Sequence, residues 1–175
     1  GGGMLLTILL GPWAAFLAIA SVLAVQALFF ADGGLLAYGC NVFNLGFFPC
    51  FVAYPLLFKP IAGDMKSPWK LSLGAVVASV AGLEMGALGV VLETVFSGIS
   101  ELPFGTFVAM MLPIHLAIGL VEGLATASVV AFVWKARPEA LAPLEPAAEP
   151  RDRAGFRPVL VGLGVATVLI GGVLS

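Results

Sequence analysis

Five apolar runs, each about as long as a lipid bilayer is thick, constrain this chain more than any other feature. They are Trp13–Phe30, Leu35–Phe58, Leu71–Val95, Phe104–Trp134 and Pro158–Leu174. A span needs about 20 apolar residues in helical form, and a helix satisfies its own backbone hydrogen bonds where no water is present. Composition agrees: 61% of the residues are hydrophobic and 10% charged, against about 45–50% and 25% in a soluble domain. The expected fold is all-α, a polytopic transmembrane bundle of about five spans. A helical stub, Met4–Leu10, precedes Gly11-Pro12 and is too short to cross. No soluble domain fits between the runs, and no internal repeat is visible.

Several classes are excluded early. A net charge of −2 with no basic stripe argues against nucleic acid. Cys40 and Cys50 are ten residues apart, about 80° off a common helix face, so they read as small membrane hydrophobes and not as a shared site. Gly1-Gly2-Gly3 is not a translation start, no positively charged region precedes an apolar one as in a signal peptide, and the last run stops at Ser175 with no polar flank. The chain is expected to be a piece cut at both ends.

The basic residues occupy two loops. Lys59, Lys66 and Lys70 lie between the second and third runs; Lys135, Arg137, Arg151, Arg153 and Arg157 lie between the fourth and fifth. The loops at Asp32 and at Gly98–Pro103 have none. The positive-inside rule places Lys59–Lys70 and Lys135–Arg157 in the cytoplasm, with Asp32 and Gly98–Pro103 external. Strict alternation then closes without conflict. The stretch Lys135–Arg157, rich in Pro, Ala, Glu and Arg, reads as a flexible linker.

Depth follows at about 1.5 Å per residue from those charges. Gln26, Asn41, Asn44, Glu93 and His115 fall at one level in the outer part of the membrane. Glu122 falls near the middle and Glu84 about two-thirds across. A charged group at mid-bilayer costs roughly 2.5–3.5 kcal/mol, so these groups should face the bundle interior and pair. His115 and Glu122 share a helix face but sit two turns apart, so their partners must come from other helices. Two readings stay open: hydrogen bonds that hold helices together, or a polar spine, Glu84 and Glu122 included, that serves a site. Gly82-x-x-x-Gly86 and Gly119-x-x-x-Gly123 permit close helix contact within the bundle.

Chemistry made by this chain alone is hard to assemble. Zinc or nickel wants three or four N, S or O ligands, and there is one imidazole. There is no HExxH, and there is no Walker A motif, so ATP hydrolysis would belong to another subunit. Gly98-Ile99-Ser100-Glu101 matches only half of a membrane serine-protease motif, and it lies in a break between runs. No catalytic residue is assigned, and no enzyme is expected. Outer polarity over an apolar inner half fits a capture protein. The rival from another class is a structural or assembly subunit; the remote one is an intramembrane protease.

Four stretches read together carry a resemblance: LLGPW (Leu9–Trp13), DGGLLAYGCNVFN (Asp32–Asn44), SGISELPFGTF (Ser97–Phe107) and LPIHLAIGLVEGL (Leu112–Leu124). In this order they resemble the CbiM/NikM family, the substrate-capture components of cobalt and nickel energy-coupling-factor transporters. The resemblance covers about residues 1–138. Residues 139–156 would be the cytoplasmic linker, and 157–175 resemble the first span of the small accessory component that some members carry fused. It implies a multi-pass protein of a prokaryotic plasma membrane, surrounded by lipid. Its partners would be a transmembrane coupling subunit, two ATPase subunits and the accessory component. Co²⁺ or Ni²⁺ would be the substrate, with no other cofactor. It also implies that the ion is held near the outer face by an amino-terminal Met-His pair and a second histidine shortly before Gly1–Gly3. The first ligands would thus lie upstream of Gly1, with Asn41, Asn44, His115, Glu93 and Gln26 as supports. The chain departs from the pattern in lacking those ligands, in Pro49-Cys50 where Gly-Pro is common, and in lacking the external part of the accessory piece.

The two-loop distribution of Lys and Arg makes a direct prediction. In a background with both native cysteines replaced, a cysteine at Lys66 or at Glu145 is shielded from an impermeant thiol reagent in intact cells, and one at Gly33 is labelled. The reverse pattern would sink both the orientation and the depth assignment.

Overall fold

The computed structural model describes residues 2–98 and 101–141. Ser100, the linker from residue 142 on and the run Pro158–Leu174 lie outside the described residues. The described chain is helical: α1 (Gly3–Leu10), α2 (Pro12–Phe29), α3 (Tyr38–Ala62), α4 (Pro68–Ser97) and α5 (Phe104–Ala136), followed by one 3₁₀ turn. The last four are long and apolar enough to cross a membrane. Their bounds follow local chemistry. Gly11 turns at φ 80° and Pro12 opens α2 at a position where its missing N–H costs nothing. Pro68 opens α4, and Gly98 ends it in the left-handed region.

The stub expected before Gly11-Pro12 is a buried half-length helix. At about 1.5 Å per residue its eight residues reach about 12 Å, and it packs against all four long helices. Met4 and Ile8 join Phe58, Leu71, Ala78 and Val130 in the main core. Lipid is as apolar as this core, so close van der Waals packing, and not transfer from water, holds the helices together. α2 is the peripheral span: only Ala15 and Ile19 are buried, and Val22, Leu28 and Phe29 are exposed. Phe51 ties it to α3 through Trp13 and Phe16, with ring centroids at 4.8 and 5.4 Å.

Within α3, residues Phe43–Phe58 form a π-helix, and Pro49 and Pro55 lie inside it. The widened turn runs to its end, where the Lys59 N–H reaches back five residues to the Tyr54 carbonyl. In an α-helix a proline ring crowds the carbonyl four residues back; the wider turn moves that carbonyl away. The structure spreads the adjustment to Pro49 and Pro55 over sixteen residues.

The two glycine pairs act inside the bundle. On α4, a Cβ at Gly86 would lie 2.5 Å from the Asn44 carbonyl oxygen of α3. On α5, a Cβ at Gly123 would lie 3.0 Å from the Val76 Cα and 3.1 Å from its carbonyl oxygen. Both neighbours are backbone and cannot rotate away. The two basic loops share one end of the bundle: Trp134 Nε1 donates to the Met65 carbonyl at 3.2 Å, and Lys66 and Lys135 border one cavity.

Gly86→Ala and Gly123→Ala should each destabilise the bundle by about 1–3 kcal/mol, the usual cost of overpacking. Gly105→Ala, with nothing within 4 Å of the added carbon, should stay within about 0.5 kcal/mol. Thermal unfolding in detergent checks the contrast, and equal effects at all three positions would contradict it.

Candidate functional site

α1 begins inside the bundle. The first amides of any helix have no partner one turn back, and in hydrocarbon no water replaces it. Here Glu122 of α5 does so: the Gly2 N–H donates to Glu122 Oε1 at 2.6 Å across 120 residues of sequence. Gly2 stands at φ 85°, where a side chain would be strained. A hydrogen bond of this kind contributes about 0.5–1.5 kcal/mol, and a buried amide left without one costs about 1–3 kcal/mol. The expectation that Glu122 finds its partner on another helix holds, and the partner is backbone.

The polar residues expected at one level divide into two groups. Asn44, 2% exposed, donates from Nδ2 to Glu93 Oε2 at 2.8 Å, joining α3 to α4. Gly86 and Gly89 make room for it, the first facing its carbonyl and the second its side-chain oxygen. Asn41 donates instead to the Gly33 carbonyl at 3.0 Å. Gln26, Asp32, Gly33 and Asn41 border a cavity of about 350 Å³ between α2 and α3, with Leu6, Ile19, Val22, Leu23 and Leu45 completing it. Tyr38 Oη closes the same loop by donating to the Ala20 carbonyl at 2.8 Å.

His115 belongs to neither group. Its Nδ1 lies 2.8 Å from the Met111 carbonyl, which can only accept, so Nδ1 carries the proton and the ring is tied to its own helix. Gly119 packs on Val80 and Gly123 on Val76; in this antiparallel register Glu84 falls level with His115. Glu84 Oε1 is buried without a hydrogen-bond partner among the described residues. The two cysteines are separate free thiols, Cys40 exposed and Cys50 buried beneath the Thr7 hydroxyl at 3.2 Å.

Chemically, this set grips backbone and joins helices. Among the described residues no three of His, Cys, Asp or Glu converge as metal ligands would. Two participants went unmarked in the sequence. Gly2 stood in a run with no evident role. Ser79, 3% exposed, continues the face of Gly82, Gly86 and Gly89 toward α3; its spacing from those glycines was the available signal.

Comparison with known proteins places the chain. A family model described as "Cobalt uptake substrate-specific transmembrane region", CbiM, matches residues 1–140. An Archaeoglobus fulgidus protein that carries the NikMN name is 38% identical over 147 residues, covering 80% of this chain and 45% of the relative. The fused nickel transport protein NikMN of Rhodobacter capsulatus is 33% identical over 177 residues, 93% of this chain and 49% of the relative. The cobalt transport protein CbiM of Sorangium cellulosum is 31% identical over 141 residues, 80% of this chain and 62% of the relative. The chain thus spans about half the length of the fused relatives. No solved structure matches it at a significant level. With the family match running through all the described helices, this multi-pass membrane chain belongs to the CbiM family.

Proposed function

We propose that the protein is the membrane-embedded substrate-binding component of an ATP-driven uptake transporter of the energy-coupling-factor type, with Co²⁺ or Ni²⁺ as substrate. The observation that carries this reading is α1, whose first residues lie between the long helices with Glu122 holding the Gly2 amide. In this reading, a segment leading into α1 enters the bundle interior. The first ligands of the ion lie upstream of Gly1 in this reading. Asn41, Asn44, Glu93, His115 and Gln26 support the site in this reading, with Glu84 level with His115 and Glu122 two turns further toward Lys135. Family membership and the cobalt and nickel names of the relatives support the substrate class.

Residues 1–138 are then the capture component, 139–156 a cytoplasmic linker, and 157–175 the first span of an accessory component. The match to a fused relative over 93% of this chain supports that division. The remaining partners are a transmembrane coupling subunit and two ATPase subunits. Lys59–Lys70 and Lys135–Arg157 are cytoplasmic and Asp32 and Gly98–Pro103 external, an orientation supported by the shared end of the two basic loops. In it, α1 runs from mid-membrane toward the cytoplasm.

Calorimetry tests the reading. The chain starting at Gly1 should bind neither ion usefully, since one imidazole and scattered carboxylates make no nitrogen-rich shell. The same chain extended to its native upstream sequence should bind. Sub-micromolar binding by residues 1–175 would put the ligands within them and overturn the assignment. In the extended protein Glu122→Gln keeps an acceptor for the Gly2 amide and should retain binding and uptake. Glu122→Ala removes it and should weaken binding by about 10–100-fold, as lost ligand supports do. Uptake abolished by Gln with normal equilibrium binding would mean that Glu122 must ionise during transport.

A further inference from the structure

Beneath the start of α1, where α3, α4 and α5 meet, lies a cavity of about 10 Å³ bordered by Gly3, Met4, Asn44, Ser79 and Glu122. By this measure it has room for one water molecule and nothing larger. It is polar on several sides. Ser79 is 3% exposed and its Oγ has no hydrogen-bond partner among the described residues. The first bond inside α1 runs from the Leu6 N–H to the Gly2 carbonyl, so the amides of Gly3, Met4 and Leu5 have no acceptor within the helix. Gly3 and Met4 both border the cavity, and both are buried.

We propose that this cavity binds one ordered water molecule, held by the Ser79 hydroxyl, the Glu122 carboxylate and a first-turn amide of α1. The chemistry selects water over an ion. A metal cation needs four to eight donors and is repelled by the positive end of α1. An anion finds no cationic side chain among the residues that border the cavity. Water accepts from the amide and donates to the carboxylate and the hydroxyl, which gives it the three bonds typical of a buried molecule. Glu122 holds the Gly2 amide directly; the water extends the same cap to the next turn and ties it to α4. This site is independent of the substrate and of the reading proposed above.

The test uses the full-length protein in lipid nanodiscs. Met4 is 1% exposed and borders the cavity, so radiolysis of a resident water oxidises a methionine that bulk solvent does not reach. Wild-type protein should show Met4 oxidation on brief X-ray exposure, and Ser79→Val, which fills the space, should abolish it. Absence of Met4 oxidation in the wild type, or oxidation unchanged by Ser79→Val, overturns the proposal. Should the valine variant not fold, Ser79→Ala decides the matter by the sign of its effect. Loss of a bond to resident water lowers Tm by about 2–4 °C. Removal of an unpaired hydroxyl from a dry cavity leaves Tm unchanged or raises it, and either result overturns the proposal.

Discussion

A helix that begins inside a bilayer exposes amides that solvent cannot reach, and the bond from the Gly2 amide to Glu122 answers that constraint here. Much of the remaining architecture follows from it. The start of α1 at Gly3 is capped from α5. Its eight residues fit among four long helices and place Met4 and Ile8 in their interior. Removing either partner strands the other, a carboxyl group or an amide, where no solvent replaces it.

The bundle around α1 depends on backbone meeting backbone. Gly82, Gly86 and Gly89 let α3 settle onto α4, and Gly119 and Gly123 let α5 settle onto a second face of α4. α4 is therefore the helix with glycine or serine contacts on two faces. The close approach on the α3 side also sets where Asn44 lies and brings its side chain to Glu93. The π-helical turns of α3 belong to the same solution: they carry Pro49 and Pro55 through a span that has to stay in contact with both α1 and α4. Packing and polar placement are thus one arrangement. The small residues fix the separations, and the separations decide which polar groups can meet.

The two ends of the bundle differ in chemistry. At one, Trp134 and Met65 join the loops that hold the lysines. At the other, Asn41, Gly33, Asn44 and Glu93 form short polar links that join α3 to the loop before it and to α4.

Run lengths and breaks were legible in the order of residues. Trp13–Phe30 against Pro12–Phe29 and Phe104–Trp134 against Phe104–Ala136 differ by a residue or two, because apolar length and the Gly and Pro punctuation act locally. The glycine pairs were legible as contact faces for the same reason, since a spacing of four puts them on one side of a helix. Partner identity was not. Glu122 and Gly2 are 120 residues apart, and no local pattern encodes which helix start a mid-membrane carboxylate meets. Equal depth placed His115 beside Asn44, yet rotation about the helix axis turned its ring onto the Met111 carbonyl. Nor does a short apolar stub reveal whether it lies at a surface or at the centre. The sequence by itself determined which segments cross and where they can touch. Only the tertiary structure decided which polar groups meet, because depth is a local count along one helix, whereas contact also requires the azimuth and separation of two.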